Sequence, residues 1–139
     1  MKKKVAVVGA TGIAGQQFLA ALAAHPWFEV VKLAASARSA GKTYRDAIRD
    51  PKTGARRWWC SEEPPPDVLE LQVENAAELD VRGIDVVFSA VDSEPARELE
   101  PRFAALTARK RTDRLGERRA GGEVDILAEK VEELIEQVW

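Results

Sequence analysis

One cysteine and one histidine are the only thiol and imidazole that 139 residues contain. Cys60 therefore has no partner for an internal disulfide, and His25 lies too far from it in sequence to give a metal-ligand spacing. Long apolar runs are missing as well. None approaches the ~20 residues that a membrane span requires. Lys2 to Lys4 precede only a short apolar run that leads into glycines, unlike a signal peptide, so a cytoplasmic protein is expected. Neither sign of charge dominates, with 21 basic against 23 acidic residues. A net charge of -2 gives no global reason to bind nucleic acid or an anionic membrane. No internal repeat is visible. The length suits one domain with a real core, but it is too short for a nucleotide domain plus a full substrate domain.

What is present is concentrated near the amino terminus. Val5-Ala-Val-Val8 is apolar without alternation, as in a strand buried on both faces of a parallel sheet. Gly9-Ala-Thr-Gly12-Ile-Ala-Gly15 follows at once and opens a helical pattern. Gly9 permits a sharp turn, Gly12 a close approach of backbone to a bound group, and Gly15 tight packing of helix on strand. Bare N–H groups at the positive end of the helix dipole then make a site for a pyrophosphate. This strand, loop and helix predict an α/β fold: a doubly wound, Rossmann-like, mainly parallel sheet with helices on both faces, in a single domain.

The helix is expected from Gly12 to about Ala24, ended by His25-Pro26, and a second strand from Glu29 to Ala35. Ser36-Ala-Arg38-Ser39 comes next, where a doubly wound fold brings the second strand's end beside the first loop. A carboxylate there would bind the ribose hydroxyls of NAD. None is present. A guanidinium and two hydroxyls suit a 2′-phosphate instead, so NADP is the expected cofactor. A solvated loop is the plain alternative.

Tyr44 to Pro66 is the least regular part and is expected to be a long excursion between strands. Its Arg56-Arg57-Trp58-Trp59 cluster suggests a lid packed on the core, with base stacking as the sharper alternative. Val68 to Val73 alternates like a strand, Ala76 to Leu79 predicts a short helical turn, and Ile84 to Phe88 a buried strand ending at Ser89-Ala90. Ser93 is placed to cap the next helix, with Glu94 and Pro95 in its first turn. Pro101 is expected to divide that helix. The organisation expected is residues 1–106 as the nucleotide-binding unit, 107–122 as a basic connector rich in arginine between Arg109 and Arg119, and 123–139 as an amphipathic helix docking on the same unit through Leu127, Val131, Leu134 and Val138. Nucleic-acid binding by the basic tract is the alternative to a solvated connector.

Three stretches in this order go beyond a generic dinucleotide loop: Val8-Gly-Ala-Thr-Gly-Ile-Ala-Gly-Gln16; Leu33-Ala-Ala-Ser-Ala-Arg-Ser-Ala-Gly-Lys42 with Tyr44 and Asp46; and Asp85-Val-Val-Phe-Ser-Ala90. Together they resemble the amino-terminal NADP domain of aspartate-semialdehyde dehydrogenase of the archaeal and fungal type. The resemblance covers roughly residues 3 to 106. It implies backbone contacts from Thr11, Gly12 and Ile13 to the diphosphate, with Gly9 and Gly15 shaping the loop. Ser36, Arg38 and Ser39 would hold the 2′-phosphate, and Ser89 and Ala90 would lie beside the nicotinamide ribose. The implied reaction is reductive: a cysteine forms a thioester from an acyl phosphate and NADPH delivers hydride. Malonyl-CoA reductases share the domain.

The family's catalytic domain, with its Asn-Cys-Ser/Thr nucleophile, histidine base and substrate-binding arginines, has no counterpart in this sequence. Cys60 sits in the excursion and is expected to be an inert thiol. His25 falls where the family too has His-Pro at a helix end, so a structural role is expected. Residues 119–129 weakly resemble the family's last segment. The expectation is an NADP(H)-binding unit without catalytic residues or a metal site of its own. An NADP(H)-sensing or partner-docking module is the rival, and a homo-oligomer or a separate catalytic partner is compatible with either.

Overall fold

The computed structural model describes residues 1–92 and 95–105. Ser93, Glu94, the connector 107–122 and the expected helix 123–139 lie outside the described residues. Four parallel strands form one sheet in the order β3-β2-β1-β4: β1 Lys3–Val8, β2 Phe28–Ala35, β3 Val73–Asn75 and β4 Val86–Ser89. β1 is central, and Val5 to Val8 are all fully buried, as an apolar run without alternation demands. Helix α1, Ile13–Leu22, crosses from β1 to β2. The chain adds β3 outside β2, then returns past β1 to place β4 on its other side. The direction of winding thus reverses between β1 and β4, and doubly wound sheets open a crevice at the carboxyl ends of strands at such a point.

Each face of the sheet carries its own core. On one face, Val5, Val7, Leu33 and Phe88 pack with Leu19 of α1 and with Tyr44, Ile48 and Trp58. On the other, Ala6, Val8 and Ala34 pack with Leu79, Val81, Ile84 and Phe103. Phe103 belongs to helical residues 95–105. β2 carries a bulge: Val5 pairs with Val30 but Ala6 pairs with Lys32. One extra residue is thereby accommodated on β2.

α1 stops at Leu22, earlier than expected, because Ala24 takes a left-handed φ of 52° before His25-Pro26 is reached. His25 has a structural place: its Nδ1 accepts the Trp27 N–H at 3.1 Å, and its ring lies 4.9 Å from that of Phe28. Two further expectations are corrected. Val68 is not in a strand but in the helical turn α3, Pro66–Leu69, and only Val73–Asn75 extends. Pro66 stands in the first turn, where its fixed φ suits a helix and its missing N–H costs nothing, with Asp67 at the positive end of the turn. Pro101 does not divide its helix; residues 95–105 are helical throughout. Arg97 and Pro101 are both exposed, so water can take the carbonyl that Pro101 leaves without a donor. Ala76–Glu78 forms the expected short turn, as a 3-10 helix capped by the Asn75 side chain on the Ala77 N–H.

Between β2 and β3 the excursion includes the short helix α2, Tyr44–Ala47, capped by the Thr43 hydroxyl. Its tryptophans divide: Trp58 is buried and donates its indole N–H to the Glu62 carbonyl at 2.7 Å, whereas Trp59 is 62% exposed. A paired stacking platform is therefore not formed. Among the described residues no helix is long and apolar enough to cross a membrane.

Candidate nucleotide-binding site

At the carboxyl ends of β1 and β4 a cleft of about 630 Å³ opens over the glycine loop. Gly9 turns the chain at a φ of 80°, and its N–H and that of Ala10 both donate to the Ala34 carbonyl, at 2.8 and 3.1 Å. A Cβ at Gly9 would lie 2.6 Å from the Ala90 carbonyl oxygen, and one at Gly15 would lie 2.1 Å from that of Gly9. These two glycines close the loop on the sheet. Gly12 differs: a Cβ there would meet only the Gly9 oxygen, at 3.6 Å, so the protein itself makes no use of its smallness. Gly12 is exposed on the cleft side and caps α1 with no side chain, which leaves the first N–H groups of the helix to a ligand.

Of the residues singled out from sequence, Gly9, Thr11, Gly12, Ile13, Ser36 and Ala90 line the cleft together. Gly15 lies behind the loop as a packing residue. Arg38, Ser39 and Ser89 are not among the lining residues. Arg38 is exposed on the turn after β2, where Ser39 and Ala40 donate to the Ser36 carbonyl at 2.9 and 3.2 Å. No carboxylate among the described residues pairs with its guanidinium. Ser39 is 9% exposed within that turn. Ser89 ends β4 opposite Val8, and its hydroxyl is buried without a hydrogen-bond partner among the described residues.

Sequence reasoning missed the rest of the wall. Asn75 at the end of β3 closes it with Ala76 and Ala77 after the strand, and Asp92, Glu98 and Leu99 close it beyond β4. Their signal was positional, since each ends a strand, follows one or faces it from the next helix. Two buried polar side chains behind the loop were missed as well. Tyr44 donates its hydroxyl to the Ala10 carbonyl at 2.7 Å, and Gln16 donates its amide to the Thr11 carbonyl at 3.2 Å and the Arg57 carbonyl at 2.7 Å. Gln16 Oε1 also accepts the Trp59 N–H at 2.8 Å, so all its bonds run inward. Burial pushes the Tyr44 hydroxyl far above its ordinary range, with the neighbouring Cys60 adding to the rise, and it stays a donor.

A dinucleotide fits what is here. The bare Gly12 leaves room for a diphosphate, and the apolar wall of Ile13, Ala35, Ala76 and Leu99 suits flat rings. Cys60 does not resemble a nucleophile. Burial and the nearby Glu62 push its thiol up, the reverse of activation, and it packs against the apolar core.

Residues 4–110 match the family described as semialdehyde dehydrogenase, NAD binding domain. Among curated relatives, the aspartate-semialdehyde dehydrogenase of Archaeoglobus fulgidus is 40% identical over 106 residues, which are 75% of this chain and 28% of that protein. The enzyme of the same name from Schizosaccharomyces pombe is 38% identical over 73% of this chain and 26% of its own length. The chain thus spans about a quarter of the length of these relatives. Among solved structures, the aspartate-semialdehyde dehydrogenase of Candida albicans with NADP superposes with a TM-score of 0.63 at 38% identity, covering 74% of this chain and 27% of that one. Aspartate-semialdehyde dehydrogenase II of Vibrio cholerae gives 0.54 at 25% identity, over 77% and 29%. The family match runs from β1 through helical residues 95–105 and takes in every element that builds the cleft. This chain belongs to the family of semialdehyde dehydrogenase NAD-binding domains.

Proposed function

We propose that the chain binds NADP(H) as the nucleotide-binding unit of an oxidoreductase of the aspartate-semialdehyde dehydrogenase kind. The observation that carries this reading is a glycine bare to the cleft at the head of α1 together with an exposed arginine on the turn after β2 that pairs with no carboxylate among the described residues. The backbone of Thr11, Gly12 and Ile13 holds the diphosphate, through the N–H groups of Thr11 and Ile13 and the bare face of Gly12, whose own N–H is taken by the Gly9 carbonyl. Ser36, Arg38 and Ser39 serve the 2′-phosphate, Arg38 by its charge and fork geometry. The burial of Ser39 favours its backbone for this over its hydroxyl. Ser89 and Ala90 lie by the nicotinamide ribose, and the switch point between β1 and β4 spans the two halves of the ligand. The nicotinamide, when bound, supplies a hydride carrier.

The described residues offer no activated nucleophile, so the chain binds the cofactor without turnover by itself. Titration of the purified chain with NADPH and NADH tests the reading. Saturable binding of NADPH, tighter than of NADH, is expected, with no phosphate-dependent reduction of NADP when aspartate semialdehyde is added. Absence of binding of either nucleotide would overturn it.

A further inference from the structure

Four successive carbonyls, those of Gly9, Ala10, Thr11 and Gly12, run along the loop under the cleft, and each is engaged by the protein. Gly9 O accepts the Gly12 N–H at 3.2 Å, and Gly12 O accepts the Gln16 N–H at 3.0 Å; these are bonds of the turn and of the helix start. The middle two are held by side chains, Ala10 O by the Tyr44 hydroxyl and Thr11 O by the Gln16 amide. Both side chains are fully buried, and neither faces the cleft. Each is itself held in place. Tyr44 donates its N–H to Leu71 O at 2.8 Å, and Gln16 is pinned by Arg57 and Trp59.

A carbonyl oxygen is the wrong pole for an anion, and a glycine-rich loop can flip its peptide planes at little steric cost. In a trans peptide the N–H points opposite to the C=O. The bond from Tyr44 therefore turns the Thr11 N–H away from the core, and no acceptor among the described residues takes that N–H. The bond from Gln16 fixes the next plane, between Thr11 and Gly12, on which the cap of α1 rests.

We infer that Tyr44 and Gln16 are positioning residues for the dinucleotide, holding the Ala10 and Thr11 carbonyls inward so that the loop presents only N–H groups to the diphosphate. This rests on the dinucleotide-binding reading above. It adds that the anion site is set from behind, by two side chains that never touch the ligand.

The test compares two probes on the wild-type chain and on Tyr44→Phe: 2′-phospho-ADP-ribose, which carries the diphosphate, and adenosine 2′-phosphate, which does not. Tyr44→Phe keeps the ring and removes one donor, so the dissociation constant of the first probe should rise about two- to tenfold. That of the second should stay unchanged. Gln16→Met, of similar volume, should give the same split if Tyr44→Phe fails to fold. Equal weakening of both probes would assign the two residues a purely structural role and overturn the inference, as would no weakening of either. A wild-type chain that binds neither probe would instead overturn the dinucleotide reading, and this inference with it.

Discussion

A Cβ on Gly15 would stand 2.1 Å from the carbonyl oxygen of Gly9, so helix and loop touch backbone to backbone. The three glycines of one motif consequently answer to different demands. Gly9→Ala should destabilise the fold by about 2–3 kcal/mol or more, from a left-handed φ and a contact with Ala90, and Gly15→Ala by at least as much. Gly12→Ala should cost under about 1 kcal/mol of stability as a cap change, yet weaken NADPH, because its methyl projects into the cleft. Thermal midpoints set beside NADPH titrations separate the two classes. A Gly12→Ala chain with normal affinity would remove Gly12 from the site.

Arg38→Ala should discriminate between cofactors. A charge-assisted contact to the 2′-phosphate is worth about 1.5–3 kcal/mol, or roughly ten- to a hundredfold in NADPH affinity, and nothing of it is used by NADH. Parallel calorimetric titrations give the ratio. An equal loss for both nucleotides would mean that the turn after β2 does not select the phosphate.

The two tryptophans of the excursion should behave as differently as their burial. Trp58→Ala removes a core side chain and should cost about 3–5 kcal/mol. Trp59→Ala, at an exposed position, should stay within about 0.5 kcal/mol. Denaturant midpoints of the two variants check this, and a large loss at Trp59 would point to a contact made by residues beyond those described.

Asp50 ties the turn at the base of the excursion. Its carboxylate accepts the Thr53 and Lys52 N–H groups and pairs with Arg57, which together lower its pKa to about 2 from 3.8. A pKa lowered by folding stabilises the folded form above the ordinary carboxylate value, and this support is lost as pH falls from 3.8 through about 2. The stability gap between wild type and Asp50→Asn should therefore be full near neutrality and close across that acid window. A gap independent of pH would show that the charge is not what matters.

Cys60 should be slow to alkylate. With its thiol pushed up by burial and Glu62, the iodoacetamide rate should rise only at pH above that of a free cysteine. Cys60→Ser should leave NADPH affinity unchanged. Rapid alkylation near neutral pH would reopen the excursion as a reactive site.

The strand, glycine loop and helix at the amino terminus were legible because each rests on local chemistry: an apolar run, glycines at fixed offsets and a helical period. The crevice followed from chain order alone, since a strand arriving beside β1 must end near the first loop. Val68 misled because six residues are too few to tell a period of two from one turn of helix, and Pro66 outweighed the alternation. Gln16 and Tyr44 were quoted for their place in a motif but not for their bonds. A glutamine on a helix ordinarily faces water. Here a segment 41 residues further on crosses over it, a contact that no local pattern announces.

The bulge in β2 has a consequence for how the chain finds its register. Phe28 and Val30 before it, and Leu33 and Ala35 after it, all face the core beside α1, although the step from Val30 to Leu33 is odd. In an unbroken strand, the alternation of side chains would turn one of these pairs to the opposite face. Sliding β2 by one residue against β1 would misplace both halves at once, so only one alignment buries the whole strand. The turn carrying Ser36 and Arg38 leaves directly from the end of that strand. Its exit on the correct side of the sheet is thus decided upstream: deletion of Val31 would place Val30 and Leu33 two residues apart, so plain alternation would keep all four side chains on the core face and the turn should leave unchanged.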